Sequence, residues 1–158
     1  MKQDIILEVS NCWSSGRAFE AGRILYEYLP NDQRPLWAAR ILAHCLQLIR
    51  SVREIDTIYE IAMDKTRWKE AHEAFGALRE FALNPERSRS TDEIYAGVLD
   101  LAENTAKVAY NASGEAAPFD HNAGWRIISN LRHIVDKVND IEFEVRVWET
   151  ATEILPAA

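Results

Sequence analysis

The sequence predicts an all-α protein, an antiparallel helical bundle of about six or seven helices with a long C-terminal helix. The strongest observation is an apolar series in the last quarter of the chain, in which steps of three and four residues alternate. Such steps return to one face of a helix, because an α-helix turns once per 3.6 residues, and a period near 3.5 favours shallow crossings between neighbouring helices. The series consists of Leu131, Ile134, Val138, Ile141, Val145, Trp148, Thr152 and Leu155.

Separate helical stretches with Pro, Gly and Ser between them are the second observation. The alternative is an irregular α-solenoid-like array. Trp37, Trp68 and Trp125 each lie near a predicted helix start, but their spacings are unequal, which argues against a regular repeat. We therefore expect residues 1–158 to form a single all-α domain, a size that buries a sizeable core without disulfides.

Two helices are expected before residue 30. The first runs from Asp4 to about Trp13 and ends at a Ser-Ser-Gly turn. Ser15 is expected to cap the second helix, which runs to Leu29 and stops at Pro30.

The middle of the chain carries four further helical patterns. Pro35, at a first helical position, opens a helix that pairs with the preceding one as a hairpin. A short helix follows over 55–62, another over 68–82, and a fourth from a capping box of Ser90 and Glu93 to about Asn111. Gly76 and Gly97 fall inside two of these patterns and Gly22 falls inside the preceding helix, which predicts close helix–helix approach at all three.

The last helix would be long for a domain of this size. From Gly124 to Leu155 it would span about 48 Å, whereas a compact domain of this length is about 39 Å across. The unbroken spacing favours a continuous helix, with a break at Asn139-Asp140 as the alternative. The alternation from Ile141 to Val147 also resembles a half-buried strand, but the chain offers only a weak partner for one.

Charge and composition limit the function classes. The net charge is −7, and all of the acidic excess lies after residue 90. Nucleic acid is therefore an unexpected partner, and a protein partner, especially a basic one, is favoured. The start of the chain has no signal-peptide pattern, no apolar run is long enough for a bilayer, and the two cysteines, Cys12 and Cys45, predict buried thiols, so we expect a cytoplasmic protein without a membrane partner.

A polar constellation precedes and enters the last helix: Asp120, His121, Asn122, Arg126 and His133. Such residues can bind an anion or transfer protons, although caps and surface positions explain them better. The Arg126–His133 and Arg67–His72 spacings resemble those of the all-helical HEPN ribonucleases, which implies a His general acid/base beside an Arg. The residues after the arginines, Ile127 and Trp68, depart from the polar residue usual in that family.

Asp136, Asp140 and Glu144 recur every four residues and would form an acidic line along a continuous last helix. Uncompensated like charges at this spacing are mildly destabilising, which predicts a docking stripe for a cationic partner. The acidic pairs Glu70–Glu73 and Asp100–Glu103 resemble the magnesium-binding pairs of helical nucleotide pyrophosphohydrolases. The spacings are also those of ordinary exposed helix faces, and we expect no metal site and no cofactor.

The leading functional hypothesis is a small acidic protein that acts by protein–protein interaction, as an adaptor, an antidote-like protein or a self-associating homodimer. The alternative is a hydrolase of nucleotide or RNA that uses the Arg/His or acidic residues. The sequence favours a non-enzymatic role over the hydrolase, and it offers no candidate for nucleophilic catalysis, because it contains no phosphate loop, nucleophile elbow or zinc spacing.

Overall fold

The computed structural model describes residues 2–50, 52–83, 93–115 and 121–153, and in these ranges the chain is helical and contains no strand. The prediction of an all-α fold is confirmed, and the strand alternative at 141–147 is wrong. The described residues form eight α-helices, one more than the six or seven predicted. These are α1 (Lys2–Ser14), α2 (Ala18–Tyr28), α3 (Arg34–Leu46), α4 (Arg53–Met63), α5 (Ala71–Leu83), α6 (Glu93–Ala112), α7 (Arg126–Val138) and α8 (Ile141–Glu153).

Helix α6 lies at the centre of the arrangement, where it packs against α3, α4, α5 and α7. Its sequence allows this position because small and apolar residues occupy most of its circumference. The central helix is therefore α6, and not the C-terminal helix that carries the strongest apolar series in the sequence. The buried positions of α6 are Gly97, Val98, Leu101, Ala102, Asn104, Thr105, Ala106, Val108 and Ala109.

Two glycines permit close contact between helices. A Cβ atom on Gly22 of α2 would collide with the backbone carbonyl of Trp125, and one on Gly97 of α6 would lie 2.9 Å from the Ile134 side chain of α7. Close approach is thus confirmed at these two positions. It is wrong for Gly76, which faces open space.

The turn between α1 and α2 differs from the predicted cap. The Ser15 hydroxyl donates back to the carbonyl of Asn11 at 2.8 Å, and α2 begins after Arg17 without a side-chain cap. Because the Ser15 hydroxyl is hydrogen-bonded to the last turn of α1, it does not cap α2. Both cysteines are buried free thiols, as predicted, and burial raises the pKa of Cys45 to about 12.

The expected long C-terminal helix is divided at Asn139-Asp140. The backbone N–H of Asn139 still donates to the carbonyl of Val135, as in a helix. Asn139 itself adopts the left-handed conformation with φ 53°, and this conformation ends α7. The Asp140 carboxylate then accepts from the backbone N–H of Glu142 at 2.9 Å and caps α8. Continuity was the favoured prediction, and it is wrong because this pair supplies both a C-terminal and an N-terminal cap.

Few contacts hold α8 to the bundle, where it packs on α3 and the end of α7. Its buried residues are Phe143, Val147 and Ala151. The indole N–H of Trp37 donates to the carbonyl of Ala151 at 2.9 Å, and His44 Nε2 lies 2.6 Å from the Thr150 hydroxyl. His44 is half-buried at this contact.

Trp13 joins α1 to α8. Its indole N–H donates to the Glu144 carboxylate at 3.0 Å, and its ring stacks on Trp148 with centroids 4.8 Å apart. None of the described helices combines the length and the apolar character needed to cross a bilayer.

Candidate functional site

The outward face of α7 borders an open groove of about 570 Å³, which we call the α7 groove. The turn between α1 and α2 forms its other wall. Arg17, Phe19, Glu20, Ser129, Arg132, His133 and Asp136 contribute its side chains.

His133 lies in the α7 groove at an exposed position, whereas Arg126 does not line that groove. Arg126 is half-buried at the first position of α7, two helical turns from His133, which corresponds to about 10 Å along the axis. His121 opens the 3-10 turn 121–123, and Asp120 lies outside the described residues. His133 instead lies near α6, where burial raises the pKa of the Asp100 carboxyl and the charge of His133 opposes that shift.

The cations around the α7 groove have neighbouring carboxylates. Arg132 pairs with Asp136 at 3.2 Å and lies over the Trp13 ring at 4.7 Å from its centroid, while Glu20 pairs with Arg23. Beside the groove, Lys137 pairs with Glu93 at 2.8 Å, which lowers the pKa of the Glu93 carboxyl. The groove therefore presents balanced charges rather than a concentrated positive field.

The second Arg/His pair lies between α4 and α6. Arg67 pairs with Glu70 at 3.2 Å, and the His72 ring, at the start of α5, lies 5.3 Å from the ring of Tyr110. An open groove of about 390 Å³ borders His72, with Glu70, Glu73 and Glu115 on its wall. The Arg67 guanidinium is held by one of these carboxylates.

The three acids of the predicted docking line have separate structural contacts. Asp136 is paired with Arg132, Asp140 caps α8, and Glu144 accepts from the indole of Trp13. The break at residue 139 also rotates Asp140 and Glu144 relative to Asp136. The continuous acidic stripe expected on one long helix is therefore not formed.

The acidic pair on α6 is partly buried beside α5. Burial raises the pKa of Glu103, whose side chain is 18% exposed, and Arg79 at 3.8 Å opposes this shift. Partial burial also raises the pKa of Asp100. Within the described ranges, no three His, Cys, Asp or Glu residues are grouped so that they could hold a metal ion.

The outward side of α8 combines exposed apolar side chains with charged ones, and we call it the α8 face. Ile141 is 72% exposed and Val145 is 49% exposed, although the periodic series placed both in the buried seam. They line a shallow groove of about 340 Å³ with Glu142, Arg146 and Glu149. The sequence signal that could have revealed this face is the Asn139-Asp140 pair followed by Glu142, because a new cap restarts the helix in a different phase.

Arg146 occupies the centre of the charged edge of the α8 face. It lies four residues after Glu142 and three before Glu149, yet among the described residues no ion pair joins it to either carboxylate. The guanidinium and both carboxylates therefore face solvent.

Comparisons of this chain with protein-family models, curated proteins and solved structures found no match.

Proposed function

We propose that this protein acts by binding another protein, and that the α8 face is its binding surface. The observation that carries the proposal is the exposed pair Ile141 and Val145, one helical turn apart on a single helix. Covering both side chains would contribute about 3 kcal/mol of hydrophobic free energy before the costs of association. An apolar centre with a charged edge is the usual composition of a protein-binding surface.

The other candidate surfaces support protein binding less well. Asp136, Asp140 and Glu144 already have contacts within the chain, so a cationic partner would have to compete with Arg132, the α8 backbone and Trp13. The exposed Leu83 stands at the end of α5, and Leu7 stands on α1. The α8 face differs from these because two exposed apolar side chains adjoin there, whereas Phe19 of the α7 groove, which is 43% exposed, packs edge-on against the ring of Trp125.

Hydrolysis of a nucleotide or RNA is the weaker hypothesis. Such an enzyme should gather a general acid/base and cations in an enclosed pocket. His133 instead lies in an open groove, about two helical turns from Arg126. No feature of the described residues favours this function over protein binding.

The test is an affinity purification from the native lysate with three tagged proteins: the wild type, an Ile141→Ser/Val145→Ser double variant and a Leu83→Ser control. The wild type and the control should recover the same partner, and the double variant should recover at least about tenfold less. Circular dichroism and Tm verify that all three proteins are folded. Equal recovery by the double variant, or no specific recovery by the wild type, would reject the α8 face as the binding surface.

A further inference from the structure

We infer that α8 is an exchangeable element: the hinge at Asn139-Asp140 straightens, and α8 of one copy takes the place of α8 in a second copy of this chain. The product is a dimer in which each subunit completes the other. The structure described above is the bent form, in which α8 packs on its own α3. The inference does not rest on the proposed function, because the exchanged contacts lie on the inward side of α8 and not on the α8 face.

The hinge is short, and its backbone is strained. Two residues connect α7 to α8, and within the described ranges Asn139 is the one residue other than glycine with a positive φ. The left-handed conformation is unfavourable for residues that carry a Cβ, although asparagine tolerates it better than most. Strained short hinges favour exchange of the element that follows them, because straightening releases the strain.

The sequence on both sides of the hinge suits one continuous helix. Steps of three and four residues run without interruption from Leu131 to Trp148. In the bent form, Ile141 and Val145 leave this line and are exposed. A straight helix would bring both side chains back into line with the buried face of α7. The apolar pattern therefore encodes a second conformation that the bent form leaves unused.

Straightening replaces the hydrogen bonds of the hinge. In the bent form, the Asp140 carboxylate accepts from the backbone N–H groups of Glu142 at 2.9 Å and Phe143 at 3.5 Å. In a continuous helix the same N–H groups would donate to the carbonyls of Val138 and Asn139, four residues earlier. The two forms of the hinge therefore differ little in backbone hydrogen bonding, and the contacts of α8 decide between them.

A straight helix would turn the inward side of α8 away from its own subunit. Phe143 and Val147 are buried against the bundle in the bent form. Because each residue of a helix turns by about 100°, both would point between about 120° and 180° away from Leu131 and Ile134, which face the core from α7. The side chains that hold α8 in the bent form would thus be available to another subunit.

The straight helix would also extend beyond its own subunit. As one helix, the 13 residues of α7, the two hinge residues and the 13 residues of α8 would span about 42 Å, more than the diameter of about 39 Å expected for the domain. The surface that α8 leaves would expose Trp13 and Trp37, which are both buried in the bent form. Exposure of two indole rings disfavours a straight monomer.

The α8 helix of a second copy fits the vacated surface because it is the same helix as the one removed. Each contact within one chain is then remade between two chains, so the contacts of α8 with the bundle are equal in the monomer and the dimer. The hinge conformation and the protein concentration set the balance between them. The polar and aromatic contacts that become intermolecular are Trp37 to Ala151, His44 to Thr150, and Trp13 to Glu144 and Trp148.

The experiment incubates the concentrated full chain just below its Tm, so that α8 opens, and measures the dimer Kd by sedimentation equilibrium. Asn139→Ala favours a continuous helix and Asn139→Gly favours the left-handed hinge. Since each dimer contains two straight hinges, the Kd of the alanine variant should be at least about tenfold below that of the glycine variant, with the wild type between them. Gly76→Ala, on α5, is the matched control and should leave the Kd unchanged.

Isotope-filtered NOEs distinguish exchange from an ordinary surface contact. In a dimer formed from equal amounts of labelled and unlabelled chain, the NOEs between the stacked rings of Trp13 and Trp148 should become intermolecular. A wild type that stays monomeric overturns the inference, as does a dimer in which these NOEs stay within one chain, or equal Kd values for the two Asn139 variants. Circular dichroism verifies that the variants are folded. None of these outcomes alters the recovery of a partner through the α8 face, so failure of the two proposals is distinguishable.

Discussion

At the residue scale, Gly22 and Gly76 should respond to the same substitution with opposite signs. A Cβ at position 22 meets the backbone carbonyl of Trp125, and the Ile128 Cβ lies 3.2 Å away, so α2 and α7 must separate. Gly22→Ala should therefore destabilise the fold by about 1–3 kcal/mol. Gly76 lies inside α5 with nothing near it, and Gly76→Ala should stabilise by about 0.5–1 kcal/mol, because alanine favours the helix.

Chemical denaturation of the two variants beside the wild type measures both effects. Equal midpoint shifts of the same sign would contradict the packing described between α2 and α7. From the sequence, these glycines looked alike, since each occupies the interior of a helical pattern. Only the position of α7 against α2 separates them, and that position depends on residues more than 100 apart in the chain.

At the element scale, the cap between α7 and α8 should be sensitive to Asp140. Its carboxylate accepts from the first turn of α8, where the backbone N–H groups have no other helical partner. Asp140→Ala should cost about 1 kcal/mol of stability, and Asp140→Asn should cost much less, because asparagine is an equally good cap. Urea unfolding followed by far-UV circular dichroism checks both, and an equal loss in the two variants would show that the cap is not what matters.

The same junction shows what local sequence patterns could and could not predict. The apolar periodicity correctly predicted helices on both sides of Asn139. It could not predict the break, because the spacing of apolar residues stays in phase across it, while the αL conformation of Asn139 and the cap at Asp140 rotate α8 relative to α7. As a result, Val145 moves from the predicted seam to the surface and Phe143 is buried instead.

The candidate site was less predictable than the fold, because its residues depend on contacts between distant segments. The sequence pattern placed Glu144 in an acidic docking line. In the structure, its carboxylate accepts a hydrogen bond from the indole of Trp13, which is 131 residues away in the chain. His133 was grouped with Arg126 by spacing, whereas folding brings it beside Glu93 and Asp100 of α6. Charge and spacing identify residues able to do chemistry, but tertiary packing decides which of them meet.

At the scale of the whole molecule, the distribution of buried contacts predicts unequal stability between α6 and α8. Helix α6 packs against four helices. Helix α8 is held by fewer buried contacts, since three of its 13 residues are buried. Segments with few buried contacts open locally without global unfolding. Backbone amides of α8 beyond its first turn should therefore exchange hydrogen at least about tenfold faster than those between Leu101 and Val108.

Hydrogen exchange measured by NMR on the dilute protein tests this expectation, and the Trp13→Phe variant provides a second test of it. The substitution keeps an aromatic ring but removes the N–H that donates to Glu144, so α8 should exchange faster still, while α6 changes only as far as global stability falls. Equal opening free energies for α6 and α8 would mean that the bundle unfolds as one cooperative unit and that α8 is no weaker than the core. If α8 instead opens on its own, a ligand bound to its outward face must slow its exchange selectively, because binding stabilises only the closed state.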